Sequence, residues 1–269
     1  MGGFYAPSYK KPGFLFGWYN FLPYICIMNL LTRDNYKTVK GEKFGYITYI
    51  LYMSPHRDNS RGVNLCPFAS RGCAAACLFG SGFGGMFEKV ANSRRERSEL
   101  FLSDRKLFLG KLDIEIGMLM RKHKGDRLVI RLNGTSDISY ETYKVRDGKN
   151  IFELYPDIQF YDYTKNYLRF NRELPGNYHL TFSRSENNGA KADKLLELGY
   201  NVAVVFDVVP KRWRGYKVID GDKSDLRFLD GKNVVVGLKY KKLTGKGVNN
   251  ASVMDMGFVV KVSEKNLVN

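Results

Sequence analysis

From Gly125 onward, short β-rich runs alternate with helical stretches or loops, and this alternation constrains the fold more than any other feature of the chain. The runs are Arg127–Leu132, Ile158–Tyr163, Tyr178–Phe182, Asn201–Phe206, Asn233–Gly237 and Phe258–Val262. Phe44–Met53, rich in Tyr, Ile and Thr, reads as an earlier strand. Strand–helix alternation predicts a parallel sheet, so the expected fold is α/β, a partial or complete (β/α) TIM-like barrel. Between the first strand and the later ones, Met86 to Lys122 reads as a helix in two pieces, with Ser103 and Asp104 capping the second. Leu109, Leu112, Ile116 and Leu119 recur at helical spacing and are expected to face the core, whereas Arg94, Arg95 and Arg97 are expected to form a solvated basic surface. Ala190–Leu198 is a further helix, stopped by Gly199. A length of 269 residues suits one such barrel, so residues 28–269 read as a single domain. Residues 1–27 stand apart as apolar and aromatic, and read as an extension or a non-native start. Gly13–Ile27 is short for a membrane span, is interrupted by Asn20 and Pro23, and lacks the aliphatic centre and cleavage site of a signal peptide.

Three of the four cysteines lie within a dozen residues, as Cys66-x6-Cys73-x3-Cys77, and the N-terminal part of the expected barrel therefore carries a cysteine-rich loop. A glycine-rich run follows directly, with Gly80 and Gly82 placed to let backbone N–H groups approach a ligand. The clustering does not resemble a secreted disulfide framework, so a reducing cytoplasm is expected. Cys73 and Cys77 are expected on one side of a helix. Three readings of the trio stay open at this point. A [4Fe–4S] cluster held by three cysteines leaves one iron available to a ligand. A zinc site would need a fourth ligand from Cys26 or His56. Buried or reactive thiols without metal are the third.

In parallel α/β folds the active groups lie at the carboxyl ends of the strands. Those ends carry Asn133 and Asp137, then Asp162 and Lys165, then Ser183 and Ser185, with Asp207 and Lys239 at the later strands. Polar residues are normal in loops, but here they recur at strand after strand. Arg131 is a separate case. A charge inside an apolar strand needs a partner or a ligand, and Asp137 and Asp162 are the expected partners.

Lys and Arg number 43 against 27 Asp and Glu, a formal charge of +16. That excess favours an anionic partner, nucleic acid or a phosphorylated small molecule. The paired histidines of a nicking initiator and a Walker A loop are both absent from the sequence.

Five motifs carry a resemblance: Asn35–Gly41, the cysteine trio with Pro67, Arg131–Asp137, Phe160–Lys165 and Leu180–Ser185. Together they resemble the phage gene product 88 family, from about Met28 to Lys239. The resemblance implies a protein of an infected bacterial cytoplasm, and some relatives carry a replication-initiator label. The trio followed by barrel-like strands is also similar to radical S-adenosylmethionine proteins, although the spacing departs from their C-x3-C-x2-C. The reading is an Fe–S, radical-SAM-like barrel enzyme acting on an anionic substrate, with S-adenosylmethionine as a further ligand. The alternative is a phage DNA replication protein, of rolling-circle initiator or accessory type, with a structural metal site.

Overall fold

The computed structural model describes residues 28–33, 36–77, 87–243 and 249–262. Residues 1–27, with Cys26, and the glycine run containing Gly80 and Gly82 lie outside them. The described strands are β1 (Leu31–Thr32), β2 (Tyr46–Leu51), β3 (Arg127–Arg131), β4 (Gln159–Thr164), β5 (Tyr178–Ser183), β6 (Val202–Phe206), β7 (Arg212–Trp213), β8 (Tyr216–Asp220) and β9 (Val235–Lys239). The helices are α1 (Tyr36–Glu42), α2 (Arg71–Ala75), α3 (Glu88–Ser103), α4 (Arg105–Lys122), α5 (Ile151–Leu154), α6 (Gly189–Glu197) and α7 (Asn250–Asp255).

All nine strands join one sheet in the order β1-β2-β3-β4-β5-β6-β9-β8-β7. The neighbours from β2 to β8 in that order are parallel, and the two-residue β1 and β7 run antiparallel at the edges. From β2 to β6 each strand lies beside its predecessor, which keeps the crossovers on one face. Alternate residues divide the two faces. Leu51, Ile130, Phe160, Leu180, Phe182 and Val204 face outward into buried clusters that also contain Phe108, Leu112 and Ile116 of α4 and Leu195 and Leu196 of α6. Asp104 starts α4 by accepting the Leu107 N–H at 2.9 Å, and Leu109, Leu112, Ile116 and Leu119 are buried along its inner side. α6 ends before Gly199, whose φ of 87° favours glycine.

The inner face carries Tyr46, Val129, Arg131, Tyr161, Tyr163, His179, Thr181 and Ser183. The segment 221–230 crosses it. Phe228 packs edge-on against Tyr46 of β2 at 5.3 Å and lies 5.7 Å from Tyr161 of β4, while Gly221 sits against Val236 and Leu238 of β9. This plug is one reason the expected TIM barrel does not close. The edges β1 and β7 do not pair with each other, and the Lys40 ammonium of α1 reaches the Asp222 carbonyl beyond β8 instead. The sheet is open, and a side chain bridges the gap.

Two other expectations need correction. Phe258–Val262 forms only a single bridge, Val260 to Phe206, because it meets β6 just beyond the point where β5 has ended. Arg97 is buried and not part of a basic surface: its guanidinium donates to the carbonyls of Asn29 and Tyr52 at 3.0 and 3.3 Å. β1, β7 and β8 are additional to the strands expected from the sequence.

Gly134, directly after β3, has no room for a methyl group. A Cβ there would lie 2.6 Å from Tyr52 Cδ1 and 2.8 Å from the Leu51 carbonyl oxygen. Because the backbone oxygen cannot swing aside, Gly134→Ala is expected to cost about 1–3 kcal/mol in urea-unfolding measurements. An unchanged midpoint would show that the β2–β3 connection repacks freely.

Candidate functional site

The carboxyl ends of the parallel strands open into a cavity of 290 Å³. Its wall combines Cys66, Cys73 and Cys77 with His56, Arg131, Asn133, Asp137, Lys165, Ser183 and Lys239. The three cysteines are therefore brought onto one surface with most of the polar strand ends. Asp222, Asp225, Tyr163, Tyr240, Lys241 and Phe258 also line it.

α2 presents the cysteines through an ion-and-dipole clamp. Ser70 caps the helix by accepting the Cys73 N–H at 3.1 Å. Glu186, beyond β5, accepts the Ser70 hydroxyl at 2.6 Å and the Gly72 N–H at 2.7 Å. Burial opposes its charge, but these donors hold its carboxyl below the usual glutamate range. Gly72 is required for the approach, since a Cβ would sit 2.9 Å from both Glu186 Oε1 and Phe258 Cβ. Cys73 lies on α2, whereas Cys77 follows Ala76, where the chain has already left helical geometry. The pair thus does not share a helix face as expected, although both reach the cavity. All three thiols are half-buried and outside any disulfide. Cys66 donates to the Thr135 carbonyl at 3.5 Å, and burial pushes its thiol up to about 12. The imidazole of His56 is lowered by burial and by the nearby Lys165 ammonium.

A buried polar network fixes the opposite wall. Asp162, wholly buried, accepts the Asn133 N–H at 2.7 Å, the Asn133 side-chain amide at 3.2 Å and the Tyr178 hydroxyl at 2.9 Å. Arg131 lies 3.9 Å from Asp162, but its closer partner is Asp225 at 2.9 Å. Asp137, the other expected partner, instead lies 3.5 Å from Arg169 and accepts the Thr164 hydroxyl and the Lys165 N–H at 2.7 and 2.9 Å. Asp225 was missed because it lies on the plug. Its signal was the unrecognised strand β8, whose carboxyl end supplies Asp222 three residues earlier.

The remaining expected residues fall elsewhere. Asp162 sits behind the wall and not on it. Ser185 is fully buried and bonds to Asn187 at 2.8 Å. Asp207 accepts the N–H groups of Val208 and Val262 at 2.7 and 3.0 Å, holding the C-terminal segment against β6. Among the described residues no three His, Cys, Asp or Glu side chains are grouped to hold a single metal ion. No described helix is long and apolar enough to cross a membrane.

An open, mostly parallel α/β sheet with a cysteine-walled cavity over its strand ends thus defines the class. The chain belongs to the Gene product 88 family, whose model matches residues 29–255. No curated protein and no solved structure matches it.

Burial pushes the Asp162 carboxyl from 3.8 up to about 6, against the opposing pull of Arg131 and its hydrogen-bond donors. Between about pH 4 and pH 6 the folded state keeps a proton that the unfolded state has lost, so this group's contribution to stability falls as pH rises through that window. The stability difference between wild type and Asp162→Asn is expected to be larger at pH 4 than at pH 6 in urea titrations. A pH-independent difference would assign the slope to other groups.

Proposed function

We propose that this Gene product 88 chain is an iron–sulfur enzyme that acts on a small anionic substrate, nucleotide or nucleic-acid end included, in the strand-end cavity. The observation that carries the reading is the meeting of Cys66, Cys73 and Cys77 on the wall that also presents Lys165, Ser183 and Arg131. The donor set consists of three cysteine thiols outside any disulfide. Thiolates are the donors that iron–sulfur clusters take. The small side chains of Ala69 and Ala76 lie on the same wall. Such a centre, bound by three cysteines, supplies an iron open to a substrate or an electron-transfer site.

The chain's own residues do the rest. Glu186 holds α2, and hence Cys73, against the end of β5. Ligation must displace the Cys66 proton, which burial holds in place, so loading becomes more favourable as pH rises. Lys165 and Arg131 place positive charge beside the thiols and favour an anionic ligand. The reading does not require S-adenosylmethionine.

Protein purified without oxygen is expected to be brown and to carry about four irons and four sulfides per chain. Cys73→Ala is expected to lose most of both while keeping its circular dichroism spectrum. Colourless protein after anaerobic reconstitution, or unaltered iron in the variant, would overturn the reading.

The net charge of +16 favours a second reading, a replication-associated DNA-binding protein in which the cysteines hold a structural metal. On that reading, DNA affinity falls steeply between about 50 and 200 mM salt, by a factor on the order of 10³ if six phosphates are contacted. A flat salt dependence removes its support.

A further inference from the structure

The charges around the cavity do not cancel. Lys40, Arg131, Lys165, Lys239 and Lys241 line it, against Asp137, Asp222 and Asp225, a surplus of two cations. Each carboxylate has a basic partner: Asp137 lies 3.5 Å from Arg169, Asp222 2.9 Å from Lys241, and Asp225 2.9 Å from Arg131. Lys165 and Lys239 have no acidic partner among the described residues. Lys239 is exposed to water, whereas Lys165 is half-buried, with its ammonium 5.4 Å from the centre of the Phe258 ring.

Lys165 is also held in place. Its N–H is fixed by Asp137 at 2.9 Å, and its ammonium donates to Ser183 Oγ at 2.9 Å. An ammonium has three N–H donors, so this bond leaves two, and the Ser183 hydroxyl keeps its own proton for donation. The backbone carbonyl of Ser183 is anchored by the Asn188 amide at 3.1 Å. On the same cavity, Arg131 is buried, with its Nε 3.9 Å from Asp162 and its Nη1 2.9 Å from Asp225. The Tyr163 hydroxyl is likewise buried, and it is unpartnered on this wall. Buried polar atoms are rarely left unsatisfied, so the pattern points to a polar ligand.

We propose that Lys165 and Ser183 form a phosphoryl-recognition subsite, which takes the terminal phosphate of a phosphomonoester. A point-charge ammonium beside a hydroxyl suits a tetrahedral oxyanion. A phosphomonoester carries a charge of about −1.5 to −2, which balances the surplus. The cavity's 290 Å³ lies at the lower end of small-molecule sites, about 300–1,000 Å³, so it takes a small phosphate ester or one terminal nucleotide and not a duplex. The assignment deepens the anionic-substrate part of the reading above and rests on the same cavity, but not on iron.

Calorimetric titration of the full chain tests it, with inorganic phosphate and adenosine monophosphate as probes, together with an oligonucleotide carrying or lacking a 5′-phosphate. Phosphate binding is expected in wild type and is expected to weaken about 10- to 100-fold in Lys165→Met. Ser183→Ala should weaken it to a lesser degree, and Lys106→Met, which removes an exposed charge from α4, should leave it unchanged. Preference for the monophosphate or for the phosphorylated oligonucleotide identifies the source of the phosphate, and either supports the subsite. No phosphate binding by wild type, or equal binding by folded Lys165→Met and Ser183→Ala, overturns it. The titrations are run on iron-free and iron-loaded protein. Lys165-dependent binding to a chain that never takes up iron upholds the subsite while the iron–sulfur reading fails. An iron-loaded chain blind to phosphate does the reverse.

Discussion

The carboxylate of Asp162 is the tie on which the strand-end architecture depends. It sits within a central strand, β4, out of contact with water, and takes hydrogen bonds from Asn133, two residues beyond β3, and from Tyr178 of β5. Three neighbouring strands are thereby tied together by one side chain. Arg169 extends the lock, bonding to Tyr178 at 2.7 Å and to both oxygens of Glu141 at 2.8 and 2.7 Å. Removing one member of such a set leaves a desolvated partner behind, which costs more than the pairing contributes. The network therefore acts less as a source of stability than as a way of allowing one arrangement of the loops around the cavity.

Those loops put two kinds of chemistry face to face. The cysteine segment arrives from the connection after β2 and is pinned by Glu186 at the other side of the mouth. The charged groups arrive on β3, β4, β5 and β9, with Asp222 and Asp225 contributed by the plug. Because the plug fills the inner face, the site is confined to the rim, where Arg131 and Tyr163 form its floor. The same segment that prevents a regular barrel thus gives the cavity its depth.

Much of this was legible in the sequence, and the parts that were not have physical reasons. Parallel strands buried on both sides read as apolar runs, so β3, β5, β6 and β9 stand out, and the cap at Asp104 with the spacing of Leu109 to Leu119 gives α4. Arg131 announced a buried partner, but a pair 94 residues apart has no local signature, so Asp225 was not found. β8 alternates half-buried and exposed residues and carries Lys217 and Asp220, which makes it resemble a surface loop. Arg97 read as solvated because charge patterning says nothing about carbonyls waiting beneath a helix. The cysteine spacing reads as a clustered loop, but it could not tell that α2 would stop before Cys77.

The unpaired edges of the sheet, β1 and β7, have a consequence for the rim of the cavity. A ring zipped shut by strand pairing has a circumference that changes only by whole strands, each demanding a new set of ladder bonds. Here the sheet stays open, and Lys40 of α1 reaches across to the carbonyl of Asp222. A contact made by one long side chain can shift by a change of rotamer, which a ladder of backbone bonds cannot, so this rim keeps a freedom that a closed barrel lacks.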